Sequence, residues 1–120
     1  MADKDSRIAA QRYSTPEILD FLHQLHTPHD PVLERVFEAP EREGIPAIHV
    51  GPSEAKAIHL LLRLTSAKKV VELGTLAGYS GIWIARALPP GGMLYTIEAN
   101  PKHADMAQRH FEAAGLASRV

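Results

Sequence analysis

Residues 70–81, Val70-Val71-Glu72-Leu73-Gly74-Thr75-Leu76-Ala77-Gly78-Tyr79-Ser80-Gly81, together with Glu98 at the end of the next apolar run, restrict the fold more than any other part of the chain. Lys68 to Leu73 reads as a strand, the glycines as a turn, and Ser80 to Leu88 as a helix stopped by Pro89-Pro90-Gly91-Gly92. Met93 to Glu98, rich in β-formers, is a second strand. The pattern predicts one βαβ unit and therefore an α/β domain. Ligands of open parallel sheets bind beyond the carboxyl ends of the strands, where an acid such as Glu98 can accept hydrogen bonds from ribose hydroxyls.

The glycine spacing narrows the ligand. A dinucleotide fingerprint would be Gly-x-Gly-x-x-Gly, whereas here Gly74 is followed by Gly78 and Gly81, with Leu76 where a second glycine would let the backbone approach a pyrophosphate. Glu72 argues the same way. A carboxylate about 5 Å from a pyrophosphate charge repels it by about 3 kcal/mol at an effective dielectric near 20. A ligand carrying an ammonium and a sulfonium is attracted instead, and S-adenosylmethionine has those charges. An NAD-linked oxidoreductase stays as an alternative with less support.

Elements around the unit follow from caps and periodicity. Thr15-Pro16-Glu17 supplies a cap, a first-turn proline and an acid for a helix with Ile18, Leu22 and Leu25 on one face. A second helix starts near Asp30-Pro31 and places Val32, Leu33, Val36 and Phe37 at helical spacing. Gly44 to Pro52 is extended or looping. Ser53 is then expected to cap a helix, apolar nearly all round through Leu60, Leu61, Leu62 and Leu64, that is buried against the sheet. After the second strand, Pro101 opens a helix whose Met106, Ala107, His110, Phe111 and Ala114 share a face, with Gly115 at its end. Ser118-Arg119-Val120 is expected to begin a third strand. The organisation is a flexible tail over 1–13, a helical region and loop over 14–52, and the first βαβ part of a cofactor-binding domain over 53–120.

At 120 residues with a formal net charge of -1, the chain holds one core and has no basic run to bind nucleic acid or an anionic membrane surface. The absence of cysteine removes disulfides, thiolate metal sites and thiol nucleophiles. No signal peptide or membrane span is legible, which places the protein in the cytoplasm.

From about Ile45 to Val120 the sequence resembles the cation-dependent O-methyltransferases of the caffeoyl-CoA and catechol type, within the class I S-adenosylmethionine-dependent methyltransferases. The resemblance is carried by Val71-Glu72-Leu73-Gly74-Thr75, Gly78-Tyr79-Ser80, Ala87-Leu88-Pro89, Ile97-Glu98 and Ala113-Ala114-Gly115-Leu116, with Ala67-Lys68-Lys69 and the leucine-rich helix upstream. It implies a Rossmann-like three-layer α/β/α sandwich, present here in part, and methyl transfer to a hydroxyl of a small, catechol-like acceptor. By the same resemblance Val50 and Gly51 border the methionine end of the cofactor and Glu72 faces its amino group. Gly74, Thr75 and Gly78 form the turn, Tyr79 flanks the methionine carboxylate, Ser80 bonds it, and Glu98 holds the ribose. A homodimer is implied.

The family's ligands for a divalent metal such as Mg2+, an aspartate and a later Asp-Asn pair, have no counterpart here, so no residue of this chain is assigned to metal or to catalysis. Two strands alone leave an unpaired edge and an exposed apolar face. The chain therefore reads as the front half of such an enzyme, the alternative being a short non-catalytic binding or assembly module of the same fold.

Three other signals are set aside. His23, His26 and His29 recur every third residue, but Pro28 breaks the helix before His29 and no carboxylate or cysteine stands at ligand spacing. Ser80 lacks a Gly-x-Ser-x-Gly context. Trp83, on an apolar helix, is read as core rather than as an adenine contact.

Overall fold

The computed structural model describes residues 15–120, so the tail expected over 1–13 lies outside the described residues. Helix α1, Pro16–His26, begins as its cap predicts, with the Thr15 hydroxyl accepting from the Ile18 N–H. None of its residues is buried, and Ile18 and Leu25 of its apolar face are exposed. Helix α2, Pro31–Phe37, is capped by Asp30, whose Oδ1 accepts from the N–H groups of Val32 at 3.0 Å and Leu33 at 2.9 Å. Asp30 Oδ2 also meets Arg86 at 2.6 Å, which ties this cap to the central helix. A short helix α3, Ala39–Glu43, was not legible in the sequence.

Helix α4, Pro52–Thr65, starts two residues earlier than expected. Gly51, not Ser53, is the cap residue, because Pro52 carries a backbone already set for the first helical position and has no N–H to satisfy. The expectation that α4 is buried all round is overturned: only Pro52 and Ala55 are buried, and Leu60, Leu61 and Leu64 are exposed. Ile58 and Leu62 pack against the core, while the far side of the helix has no partner among the described residues.

Strand β1, Lys69–Leu73, helix α5, Tyr79–Ala87, and strand β2, Met93–Ile97, form the predicted βαβ unit. The strands pair in parallel, with Glu72 opposite Thr96 and Leu73 opposite Ile97. Side chains alternate across the pleat. One face carries Val70, Glu72, Leu94 and Thr96 toward the helices, and the other carries Val71, Leu73, Tyr95 and Ile97, exposed by 66, 81, 52 and 57 %. Of the expected sandwich, the described residues form the sheet and one helical layer.

Helix α5 is the centre of the core: Ile82, Trp83, Ile84 and Ala85 are buried with Leu33, Val36, Leu94 and Phe111. Trp83 belongs to that core, with Lys56 Nζ lying 5.7 Å from its ring centroid. Helix α6, Pro101–Ala113, is capped by Asn100 and buries Met106, Ala107, His110 and Phe111. The expected third strand is not formed. Ala117–Arg119 is a 3-10 turn, closed by the Arg119 N–H to the Leu116 carbonyl, while the Arg119 guanidinium donates to the carbonyls of Leu88 at 2.6 Å and Pro89 at 2.8 Å.

Candidate functional site

The turn between β1 and α5 is built by backbone conformations that L-residues rarely adopt. Gly74 and Gly78 lie at φ +89° and +86°, and Leu76 between them at +50°. For glycine this region carries no steric penalty, whereas for leucine it costs about 1 to 2 kcal/mol. The Gly74 N–H donates to the Ile97 carbonyl at 2.9 Å, joining the turn to the end of β2. On its inner side the ring of Phe111 packs so close that a Cβ at Gly78 or Gly81 would stand 3.0 Å or 2.8 Å from it.

Glu72 is the hub of a hydroxyl network. The Ser80 hydroxyl donates to its Oε1 at 2.5 Å and the Thr96 hydroxyl to its Oε2 at 2.7 Å. Since Thr96 has one proton and gives it to Glu72, the 2.6 Å contact between Thr75 and Thr96 runs from the Thr75 hydroxyl to the Thr96 oxygen. Each Glu72 oxygen keeps an acceptor position open.

Glu98 is held by the main chain. Its Oε2 accepts from the N–H of Thr75 at 3.1 Å and of Leu76 at 2.8 Å, and its Oε1 accepts from the Asn100 N–H at 2.9 Å. These bonds from Asn100 and Leu76, with a smaller one from Thr75 and the nearby His103, hold its carboxyl below the usual carboxylate range despite partial burial.

Tyr79, the first residue of α5, is 1 % exposed. Its hydroxyl lies 2.8 Å from His29 Nε2, and His29 Nδ1 lies 2.8 Å from Glu34 Oε2. Burial pushes the phenol up to about 12; the Trp83 indole N–H opposes the rise without meeting hydrogen-bond geometry, and Glu34 and Glu54 add to it. Phe37 and His49 complete an aromatic cluster around Tyr79, with ring centroids 5.1 and 5.8 Å away. Burial lowers the pKa of His49, whose Nδ1 has no hydrogen-bond partner.

A cleft of about 620 Å³ opens at the carboxyl ends of both strands. Val50, Glu72, Gly74, Thr75, Tyr79, Ser80 and Glu98 all line it. Gly78 does not; it sits beneath the turn against Phe111 and shapes the site rather than facing it. The cleft also gathers Ile48, His49, Asn100 and His103. Neither His49 nor His103 belongs to a motif in the sequence, and the one signal for His49 is its place next to Val50. Among the described residues no group of three or more His, Cys, Asp or Glu could hold a metal ion. A second cavity, about 420 Å³, lies between α6 and the free edge of β2 and shares Thr75 and Glu98 with the cleft.

Comparison with known proteins places this arrangement. The family profile described as O-methyltransferase matches residues 24–120. A catechol O-methyltransferase of Niastella koreensis is 56 % identical over 77 residues, covering 64 % of this chain and 35 % of the relative. One from Mycobacterium tuberculosis is 36 % identical over 110 residues, 92 % of this chain and 50 % of the relative. The crystal structure of an O-methyltransferase from Bacillus cereus in complex with SAH superposes with a TM-score of 0.82 at 38 % identity, over 87 % of this chain and 47 % of that one. The chain spans half or less of the length of these proteins.

Proposed function

Because this chain belongs to the O-methyltransferase family, we propose that its cleft binds S-adenosylmethionine and that it forms the donor-binding part of an enzyme that methylates a hydroxyl oxygen of a small, catechol-like acceptor. The observation that carries the reading is the pair of carboxylates, Glu72 and Glu98, at neighbouring strand ends facing one cleft beside a glycine turn. When bound, S-adenosylmethionine supplies an electrophilic methyl group on a sulfonium; this chain's residues bind and orient it.

The residues fit that cofactor by charge and by hydrogen-bond capacity. Ser80 now donates to Glu72. Turned toward the cleft, it would donate to the methionine carboxylate and free Glu72 Oε1 for the ammonium, so one rotation prepares both contacts. Tyr79 flanks this end, Val50 with Gly51 borders it, and Gly74, Thr75 and Gly78 shape the turn. Glu98 Oε1 retains an acceptor position for a ribose hydroxyl. In this reading residues 53–120 are the cofactor-binding part and 14–52 a helical region packed beside it. No metal ligand is assigned to this chain; a divalent ion such as Mg2+ belongs with the acceptor side of the complete enzyme. We place that enzyme in the cytoplasm as a homodimer, on its family resemblance and because no signal peptide or membrane span is legible in this chain.

Calorimetric titration with S-adenosylhomocysteine tests the proposal. Wild type is expected to bind and Glu98→Ala to bind at least about tenfold more weakly, a loss of about 1.4 kcal/mol. The open apolar sheet face favours a second reading, a non-catalytic assembly module of the same fold. A folded chain that does not bind S-adenosylhomocysteine would support that reading and overturn the first.

A further inference from the structure

We propose that Glu98 is a built-in anion that fills the anion-binding nest of the glycine turn, and that this occupancy decides which class of ligand the cleft accepts. Consecutive backbone N–H groups that converge where the chain switches into the left-handed region form a concavity suited to a negative oxygen; phosphate-binding loops use it for phosphate. Thr75 and Leu76 form such a pair, with Leu76 at φ +50°. Both N–H groups point at one oxygen, Glu98 Oε2, at 3.1 and 2.8 Å. That oxygen has two acceptor positions and both are taken.

The occupant is fixed from its other side as well. Oε1 is held by the Asn100 N–H at 2.9 Å, and the side chain is only 13 % exposed. Among the described residues no lysine or arginine pairs with it; the nearest cation-forming group is His103 Nδ1 at 3.9 Å. The carboxylate therefore takes its compensation from main-chain donors, the role an incoming phosphate would otherwise have. It also explains how Leu76 is kept in a conformation that favours glycine: the strained N–H is rewarded by a charge-assisted bond.

The consequence is selection by prior occupancy. A pyrophosphate arriving at the turn finds the Thr75–Leu76 N–H pair already taken and meets two carboxylates, Glu98 and Glu72, lining the same cleft. A ligand that brings hydroxyl donors or a cation to this end meets acceptors instead. This deepens the cofactor reading given above, and its test uses a different ligand so that the two can fail separately.

The test is titration with inorganic pyrophosphate, followed by the amide resonances of Thr75 and Leu76, in wild type, Glu98→Gln and Glu98→Ala. Wild type is expected to show slow exchange of both amides with solvent and no saturable shift. Glu98→Ala is expected to bind pyrophosphate at least tenfold more tightly than wild type, with the largest shifts at those two amides, and Glu98→Gln, which keeps an acceptor oxygen without the charge, to fall between. Rapid exchange of both amides in wild type would overturn the proposal whether or not the variants fold. So would a folded Glu98→Ala or Glu98→Gln that binds pyrophosphate no better than wild type.

Discussion

The Tyr79 hydroxyl and His29 Nε2, fifty positions apart in the chain, meet at 2.8 Å at the point where the N-terminal helical region touches the cofactor turn. Glu34 accepts the proton of Nδ1, which leaves Nε2 with a lone pair to accept from the phenol. The first residue of α5 is thereby fixed by a segment that precedes the βαβ unit.

Tyr79→Phe is expected to remove a pH dependence at the alkaline end. An unfolded tyrosine ionises near 10, the folded one near 12. Stability is thus full below pH 10 and falls between 10 and 12, where the unfolded chain loses its proton first, by about 2 to 3 kcal/mol in total. Urea unfolding at stepped pH should show that fall in wild type and a flat response in the variant, whose stability below pH 10 is lower by about 1 kcal/mol for the lost hydrogen bond.

Glu72→Ala is expected to weaken S-adenosylhomocysteine binding at least tenfold, because it removes the carboxylate we propose for the cofactor's amino group and the acceptor that orders Ser80 and Thr96. Ser80→Ala should weaken it less, since Glu72 survives. Calorimetry on the two variants gives the order; equal losses would contradict it.

Gly81→Ala is expected to destabilise the fold by about 1 to 3 kcal/mol through overpacking, since the new methyl would stand 2.8 and 2.9 Å from Cζ and Cε1 of Phe111. Adding Phe111→Leu should recover part of that loss. A double-mutant cycle by denaturant unfolding measures the coupling between the two positions.

Leu73→Lys with Ile97→Lys is expected to lower binding of a hydrophobic dye and to shift the chain toward monomer in sedimentation. Both side chains lie on the open face, 81 and 57 % exposed, so each single substitution should change stability by no more than about 0.5 kcal/mol, and the pair adds the repulsion of two lysines that stand opposite each other.

Acid titration should carry a contribution from Glu98. Its folded carboxyl ionises below the ordinary value near 4.5, so its contribution is full above that value and is lost as the pH falls through the lower folded one. Glu98→Gln is expected to flatten that part of the stability profile.

Local pattern makes the βαβ unit legible almost to the residue: it predicts β1 from Lys68, which begins at Lys69, and α5 from Ser80, which begins at Tyr79. The caps Thr15 and Asp30 and the first-turn Pro101 explain the success at those helix starts, where the signal is confined to one turn. What failed depends on partners remote in sequence. The leucines of α4 announce a helix without saying which side has a neighbour, and Ser118-Arg119-Val120 has strand-forming composition but is drawn into a 3-10 turn by Arg119 reaching the carbonyls of Leu88 and Pro89. His29 looked like part of a spaced histidine series, and only the fold brings it to Tyr79. Glu98 was legible as an acid at a strand end, but its grip on Thr75 and Leu76 was not, since that contact depends on the turn's backbone angles.

The register of the two strands is a parity condition on everything above it. Glu72 stands opposite Thr96, and Val71 opposite Tyr95. A slip of β1 by one position would turn Glu72 outward beside Tyr95 and Ile97 and push Val71 and Leu73 beneath the helices. Such a chain could still bury its apolar residues, yet the hydroxyls of Ser80 and Thr96 would lose their acceptor and the cleft would keep only the Glu98 carboxylate. Correct pairing of five residues therefore separates an electrostatic surface from an adhesive one, and no half-correct intermediate keeps either.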